Sequence, residues 1–489
     1  MTIEGDYGYD IQRKLYIDGT FVSSSDGGTF DVFNPSTGKI LAEVASARPE
    51  DVDAAVRAAD RQFRTGAWSR MDGRERGRLL DRLAALVERD KEWIAKLESL
   101  DNGKLFGVAL NVDVPNLVAT LRYFAALSDK LFGHTIPTAS AFGRPTLTYT
   151  VREPLGVIGA LGAYNAPTMY VGWKCAPALA AGNTVVYKPA EEAPLTTLYL
   201  AKLFDEAGFP SGTFNVVSGL GPIIGPEIVR HPKVAKVSYT GGGEVGKLLA
   251  KEAAALLKPM TLELGGKAPA IVLEDASLDE TLPMLILGLF ANQGQICAAS
   301  TRVLVHRSLR EPVIDGLAAA ARAMRLGDAL DPDSTLGPLT TKRCVDRVLR
   351  YIERGVQQGA KLITGGKLSA VGSQFVEPTI FAGSNDMTIA QEEIFGPVGI
   401  VIPFDSHDEA VEMANNTRYG LSAGIFTRDI SHANVLARRI EAGTVWINGF
   451  GLIDPAAPWG GVKQSGYGRE NGSDGLSDVT YEKVISTLL

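Results

Sequence analysis

A chain of 489 residues with 45% hydrophobic content is too long for one ordinary core, so two or three packed units are expected. Its 49 Lys and Arg stand against 56 Asp and Glu, a net charge of -7 with no basic or acidic runs, and this speaks against nucleic acid or an anionic membrane surface as a partner. Three cysteines, Cys175, Cys297 and Cys344, and histidines at 134, 231, 306, 407 and 432 lie apart without ligand spacing, so neither a disulfide framework nor a metal site is expected.

Met1 to Asp10 is acidic and polar, unlike a secretory leader. The longest apolar stretch, Leu282 to Ala291, reaches about half of the roughly 20 residues that a membrane helix needs. Cytoplasmic residence is the resulting expectation. From Arg48 to about Leu100 the spacing of Val52, Ala55, Val56 and Ala59, then Leu79, Leu83, Leu86 and Val87, predicts helices. His134 to Val151 turns to threonine and alternating apolar residues, which predicts a projecting hairpin or strand.

From Gly156 short β-type runs alternate with helical ones: Val157 to Leu161, Met169 to Ala181, Thr184 to Tyr187, Thr196 to Ala207. Gly182-Asn183 and Gly208 with Pro210 supply the helix stops. Thr213 to Val217, Val234 to Tyr239 and Ala268 to Leu273 continue the strands, and an α/β fold with a mostly parallel, open sheet is the economical topology. A second series follows: strand Arg302 to Val305, helices Val313 to Met324 and Val345 to Gln357, and strands Gly396 to Phe404, Ser422 to Phe426 and Thr444 to Ile447, with helices near Ala410 and Asn434. No short-period repeat is present.

Four places could carry chemistry. Cys297, in Gly294-Gln295-Ile296-Cys297, lies at the junction of the two series, where small-molecule clefts form; on position alone a free cysteine is more often a small core residue. Glu263, in Thr261-Leu262-Glu263-Leu264-Gly265-Gly266-Lys267, sits inside a strand-like run, either as a general base raised by burial or as a partner of Lys267. Asn165 lies in a strand-to-helix turn, either as an oxyanion donor or as a helix cap. Thr240-Gly241-Gly242-Gly243 follows a strand and opens a helix, as a phosphate-cradling turn does, or it is simply a flexible turn.

Together with Glu153-Pro154-Leu155-Gly156-Val157, Lys188-Pro189-Ala190-Glu191, Glu392-Glu393-Ile394-Phe395-Gly396-Pro397 and Gly466-Tyr467-Gly468-Arg469-Glu470, these motifs resemble the signatures of the aldehyde dehydrogenase superfamily over nearly the whole chain. The resemblance implies a Rossmann-like NAD-binding domain over 1–130 and 153–264, a second α/β catalytic domain over 265–475, and a small β oligomerisation element from 131–152 and 476–489, in a homodimer or homotetramer. It implies Cys297 as nucleophile, Glu263 as general base, and Asn165 with the Cys297 backbone N–H as oxyanion hole, on the hydrolytic branch that turns an aldehyde into an acid. Lys174 and Glu470 match positions that help move protons from Glu263 in some relatives.

For the cofactor, the resemblance assigns Lys188 and Glu191 to the adenosine ribose, Gly221, Gly241 and Gly242 to the adenine and pyrophosphate, and Glu393 with Phe395 to the nicotinamide half, with Tyr164 and Leu264 lining the same cleft. A carboxylate at Glu191 favours NAD over NADP, while Lys188 leaves some tolerance for NADP. The chain departs from the family pattern at Ala163-Tyr164-Asn165-Ala166-Pro167 and at Trp459. Ala166 should widen the tunnel, with Met169, Tyr170, Trp173, Phe450, Leu452 and Trp459 keeping its wall apolar. A hydrophobic or aromatic aldehyde fits that wall. The alternatives are a betaine or amino aldehyde, whose aromatic box would be incomplete at Ala166 and Ala291, transfer of the acyl group to coenzyme A, or a binding protein that kept only the fold.

Overall fold

The computed structural model describes residues 11–489; the leader reading of Met1 to Asp10 lies outside them. Val157–Leu161, Thr184–Lys188 and Val234–Thr240 are short, β-branched and almost wholly buried, which is what strands covered on both faces require. With Met260–Glu263 and Phe214–Val216 they form the parallel centre of an eight-stranded sheet. Helices Pro49–Arg64, Pro167–Ala180, Leu195–Ala207 and Gly221–Arg230 pack around it.

The sheet runs Gly466–Tyr467, Met260–Glu263, Val234–Thr240, Val157–Leu161, Thr184–Lys188, Phe214–Val216, Leu15–Ile17, Thr20–Val22. Chain order reverses between Val157–Leu161 and Val234–Thr240, and at such a switch point the loops beyond the carboxyl ends part to leave a crevice. Those loops are Gly162–Ala166 and Gly241–Gly242.

A second, seven-stranded sheet is built from Pro269–Val272, Arg302–His306, Thr379–Ala382, Val398–Phe404, Ser422–Phe426 and Thr444–Ile447, all parallel, with Lys361–Thr364 antiparallel at one edge. Both predicted series are present as separate sheets, but Ala268 to Leu273, read as part of the first, is strand Pro269–Val272 of the second, paired on its two sides with Arg302–His306 and Ser422–Phe426. The expected hairpin is Thr135–Ile136 with Thr146–Pro154, and Thr480–Leu488 joins it as a third, antiparallel strand.

The N-terminal region departs from expectation. Leu15–Ile17 and Thr20–Val22 extend the first sheet, and Thr29–Phe33 pairs with Ile40–Ala45, where the sequence reading places no strands. They are three to six residues long, too short to show a period. Among the described residues no helix is long and apolar enough to cross a membrane.

Candidate active site

Helix Leu278–Phe290 ends in a tight turn, Ala291–Gly294, where Asn292 and Gln293 adopt left-handed backbone with φ of 49° and 58°. Asparagine tolerates that region better than most residues. The Asn292 amide donates to the carbonyls of Asn165 at 3.0 Å and Gln295 at 3.2 Å. The Gln295 side-chain oxygen accepts from the Thr340 backbone and hydroxyl, both at 3.2 Å. The Cys297 loop is thus pinned between the turn after Leu161 and the segment before helix Lys342–Gln357.

The Asn165 side-chain amide donates to the Gln295 carbonyl at 3.0 Å, while its oxygen accepts from the Tyr170 hydroxyl at 3.2 Å. The helix Pro167–Ala180 is capped by Ala166 with no side-chain bond, so Asn165 does not serve as a cap. Its amide is held on the Cys297 loop with one N–H still to give.

From the other side comes Glu263-Leu264-Gly265-Gly266. A β-carbon on Gly265 would lie 2.2 Å from a Glu393 oxygen, and one on Gly266 would lie 2.4 Å from the Cys297 carbonyl oxygen. Only glycine lets the three segments approach this closely. The Gly266 N–H donates to Glu393 at 3.1 Å.

The electrostatics are unusual. Burial pushes Glu263 well above the ordinary carboxylate range, and the Glu470 charge adds to that, against Lys174 and Arg469. Neither Glu263 oxygen has a hydrogen-bond partner among the described residues. Lys267 does not supply one: its ammonium is buried with no partner among the described residues, and burial with the nearby Arg302 brings it down to about 7. The pairing of Glu263 with Lys267 is therefore not what the structure shows. Burial, then the charges of Glu393 and Glu263, push the Cys297 thiol up to about 12 against weaker help from the Ala298 and Cys297 N–H groups. Burial likewise lifts Glu393 to about 6.

Lys174 and Glu470 meet as a buried ion pair at 2.7 Å, with the Ser238 hydroxyl bridging them. Across the crevice Lys188 pairs with Glu191 at 2.8 Å, and the Gly221 N–H donates to Glu191 at 3.3 Å. Burial raises Glu191, but Lys188 and these donors outweigh it and hold the carboxylate below its usual range.

Gly242 begins the thirteen-residue helix Gly243–Ala255, and β-carbons built on Gly242 or Gly243 would meet no heavy atom within 4 Å. Open space before a helix N-terminus and an ionised carboxylate with spare lone pairs fit the two ends of an adenosine diphosphate. Gly241 donates its N–H to the Glu263 carbonyl at 3.1 Å, and Leu264 is buried beneath this turn. Tyr164 stacks edge-on against Phe395 with centroids 5.9 Å apart, its hydroxyl 3.2 Å from the Cys344 sulfur. Phe395 sits at φ 57°, clasped by Arg347, whose guanidinium lies 5.7 Å from its ring centroid.

Around Cys297 gather Met169, Tyr170, Trp173, Phe450, Ile453 and Trp459. Leu452, expected in this wall, is 68% exposed and lies outside it. Trp446 takes a place that sequence alone did not assign, stacked at 6.2 Å on Trp459, which in turn lies 5.8 Å from Trp173. The indole N–H of Trp173 goes to Asn116 at 2.8 Å and that of Trp446 to the Leu452 carbonyl at 3.3 Å, so both rings have their polar atom spent on protein. Trp446 sits in an ordinary strand pattern, and its neighbours are distant in sequence; Asn292 and Arg347 gave no signal either. His407 and His432, unpaired in the sequence, come together at 2.8 Å, with Glu274 at 2.9 Å from His407.

The family model described as the aldehyde dehydrogenase family matches residues 21–485, and the chain belongs to that family. Human aldehyde dehydrogenase 1A1 is 45% identical over 477 residues, 97% of this chain and 94% of its own. The NAD+ complex of an aldehyde dehydrogenase from Bacillus cereus superposes with a TM-score of 0.97 at 45% identity, covering 100% of this chain and 98% of that one. A betaine aldehyde dehydrogenase from Staphylococcus aureus, also with NAD+, gives 0.95 at 36% identity and covers 98% of both chains.

Proposed function

We propose that this chain oxidises a hydrophobic or aromatic aldehyde to the carboxylic acid with NAD, through a thioester on Cys297 that Glu263 helps to hydrolyse. The observation that carries the reading is the convergence of three segments on one cleft: the Cys297 loop, the Asn165 turn, and the strand that ends in Glu263. NAD bound between Glu191 and the Phe395 clasp supplies the hydride acceptor. The Glu191 charge repels a 2'-phosphate, so NADP is the poorer cofactor.

Cys297 gives up its thiol proton to a solvent water and adds as the thiolate to the aldehyde carbon, and the spare Asn165 N–H with the Cys297 backbone N–H holds the oxygen as it gains charge. Loss of hydride from that carbon leaves the thioester. Glu263, buried and unpaired, then takes a proton from water as the water oxygen adds to the carbonyl, and the acid leaves as the sulfur is released. The unpaired carboxylate favours hydrolysis over transfer to coenzyme A. The Trp173 and Trp446 rings, their N–H groups spent on Asn116 and the Leu452 carbonyl, make the wall apolar, which selects a hydrophobic or aromatic chain; with Trp459, three indoles could equally face a cation, so a quaternary ammonium aldehyde belongs in the test.

Two exposed apolar faces fit a second copy of this chain. One is the three-stranded sheet, with Phe132, Phe142, Val484 and Leu488; the other is helix Gly243–Ala255, with Val245 and Leu248. A homodimer or homotetramer covers them.

The deciding experiment follows NADH with aliphatic, aromatic and trimethylammonium aldehydes, with and without coenzyme A, in wild type, Cys297→Ala and Glu263→Gln. The proposal expects no turnover without Cys297. In Glu263→Gln it expects a first-turnover burst followed by a steady rate lower by about 10²–10⁴. Turnover that requires coenzyme A, or that survives Cys297→Ala, overturns it.

A further inference from the structure

The second sheet repeats the reversal of chain order that opens the crevice in the first. From Pro269–Val272 the chain moves one way to Arg302–His306 and later returns to the other side as Ser422–Phe426. The loops beyond the carboxyl ends of Pro269–Val272 and Ser422–Phe426 part at this second switch point. Gly266 and Cys297 lie before Pro269–Val272 and Arg302–His306, at their amino ends, so this crevice is at the opposite end of the sheet from Cys297.

Three connections meet there. Asp275, just after Pro269–Val272, accepts from the Thr427 hydroxyl at 2.6 Å and from the Arg428 and Asp429 N–H groups at 3.0 and 3.1 Å, which ties the two parted loops together. Its neighbour Glu274 turns instead to His407, the first residue of helix His407–Asn415, and lies 2.9 Å from Nε2 of that ring. His407 Nδ1 in turn lies 2.8 Å from Nε2 of His432, in the first turn of helix Ile430–Ala437. The two rings are half-buried, tilted by 41° with centroids 4.7 Å apart.

This order fixes where the protons are. The His407 N–H, then the Glu274 backbone N–H, hold the Glu274 carboxyl below its usual range, and an ionised carboxylate can only accept, so His407 carries its proton on Nε2. The other nitrogen of a neutral imidazole is then a lone pair. His407 Nδ1 therefore aims a lone pair at His432 Nε2, and the single proton between them occupies a point that both nitrogens face. An imidazole whose far N–H is given to a carboxylate has the fixed tautomer and raised basicity of a metal ligand.

We propose that His407 Nδ1 and His432 Nε2 form an open binding site for a divalent transition ion of the zinc or copper type, with Glu274 orienting the His407 ring. Two nitrogens on one tetrahedral ion lie about 3.3 Å apart, so the rings need part by only about half an ångström from their 2.8 Å separation. The shared proton leaves to solvent as the ion enters, and nothing is oxidised or reduced. Imidazole ligands favour zinc, copper or nickel over calcium and magnesium, which take oxygen. Among the described residues no third His, Cys, Asp or Glu side chain completes a cage, so water fills the remaining positions. The nearby charged groups are engaged elsewhere: Asp405 with Arg307, Asp408 with Arg439, Asp429 with the His432 backbone N–H, and His306 with the Ser308 hydroxyl. An ion held here links the two helices to each other and, through Glu274, to the loop after Pro269–Val272.

The test adds copper(II) to the full chain and reads its electron paramagnetic resonance. One equivalent per chain should be held with hyperfine splitting from two nitrogens, a signature that cysteine sulfur cannot imitate. His407→Gln and His432→Gln should each abolish that signal. Glu274→Gln, which keeps both ligands and withdraws only the carboxylate, should weaken binding by about 10–100-fold. A second measurement needs no substitution: zinc should shield His407 and His432 of the wild-type chain from diethyl pyrocarbonate and leave His306 reactive. No bound equivalent, splitting from fewer than two nitrogens, a two-nitrogen signal that survives either histidine variant, or histidines that zinc does not shield overturns the proposal. Undiminished affinity in Glu274→Gln overturns the part given to Glu274.

Discussion

Cys297 sits among charges of the wrong sign for a thiolate. Glu393 and Glu263 both oppose its ionisation, on top of burial, and its pKa of about 12 lies well above that of an ordinary thiol. In the free enzyme, inactivation by iodoacetamide should therefore keep rising through pH 10 without a plateau. Removing one of the opposing charges with Glu393→Gln lowers the thiol pKa, so alkylation at pH 8 should quicken by about three- to tenfold, the worth of half to one unit. Asn165→Ala, which removes the proposed oxyanion donor, should cost about 10²–10³ in kcat with little change in alkylation rate. The residues proposed for these roles were visible in the sequence because each stands in a motif. What was not visible was their environment. Glu263 could have paired with Lys267, and only the packing shows that neither has a hydrogen-bond partner among the described residues. Trp446 and Asn292 reach the site from segments whose local pattern gives no reason to single them out.

The helix Pro167–Ala180 carries Tyr170, Trp173 and Lys174 to the cleft, and its first turn is held from below. Glu98 accepts from the Thr168 backbone at 3.3 Å and from its hydroxyl, and Lys104 neutralises Glu98 and Asp113, all three buried. Lys104→Met leaves two carboxylates facing each other out of water. It should cost about 3–5 kcal/mol, read as a fall in the midpoint of chemical unfolding, and Glu98→Gln with Asp113→Asn in the same chain should recover much of that. Most helices and strands were legible from period and punctuation, as at Pro167–Ala180 and Thr444–Ile447. The N-terminal strands were not, since Leu15–Ile17 owes its form to pairing with Phe214–Val216, and Thr20–Val22 to pairing with Leu15–Ile17, rather than to any local preference. The Glu98, Lys104 and Asp113 cluster was equally hidden, because its members come from three separate segments, Lys91–Asn102, the connection after it and Ala109–Asp113, and nothing in the sequence brings them together.

For the whole molecule, the exposed apolar faces set the expectation. Leu248→Glu on helix Gly243–Ala255 and Val484→Glu on the C-terminal strand should each reduce the assembled mass measured by light scattering, and the two together should leave monomer; an unchanged mass in both would remove these faces as interfaces. The two-sheet plan was readable because each sheet is a sequential α/β series. The return of the chain from one sheet to the other was not, since Gly466–Tyr467 is a two-residue strand with no signal of its own. That return has a bearing on biogenesis. Glu263 is flanked on one side by Thr240 and on the other by Gly466, so the strand bearing the proposed base keeps an open edge until more than 200 residues beyond it have been made. Domains tend to fold in order as they leave the ribosome, yet here the first sheet must wait for nearly the end of the message. A nascent chain arrested before Gly466 should bind chaperones through that edge and show no activity, however complete its cofactor-binding half already looks.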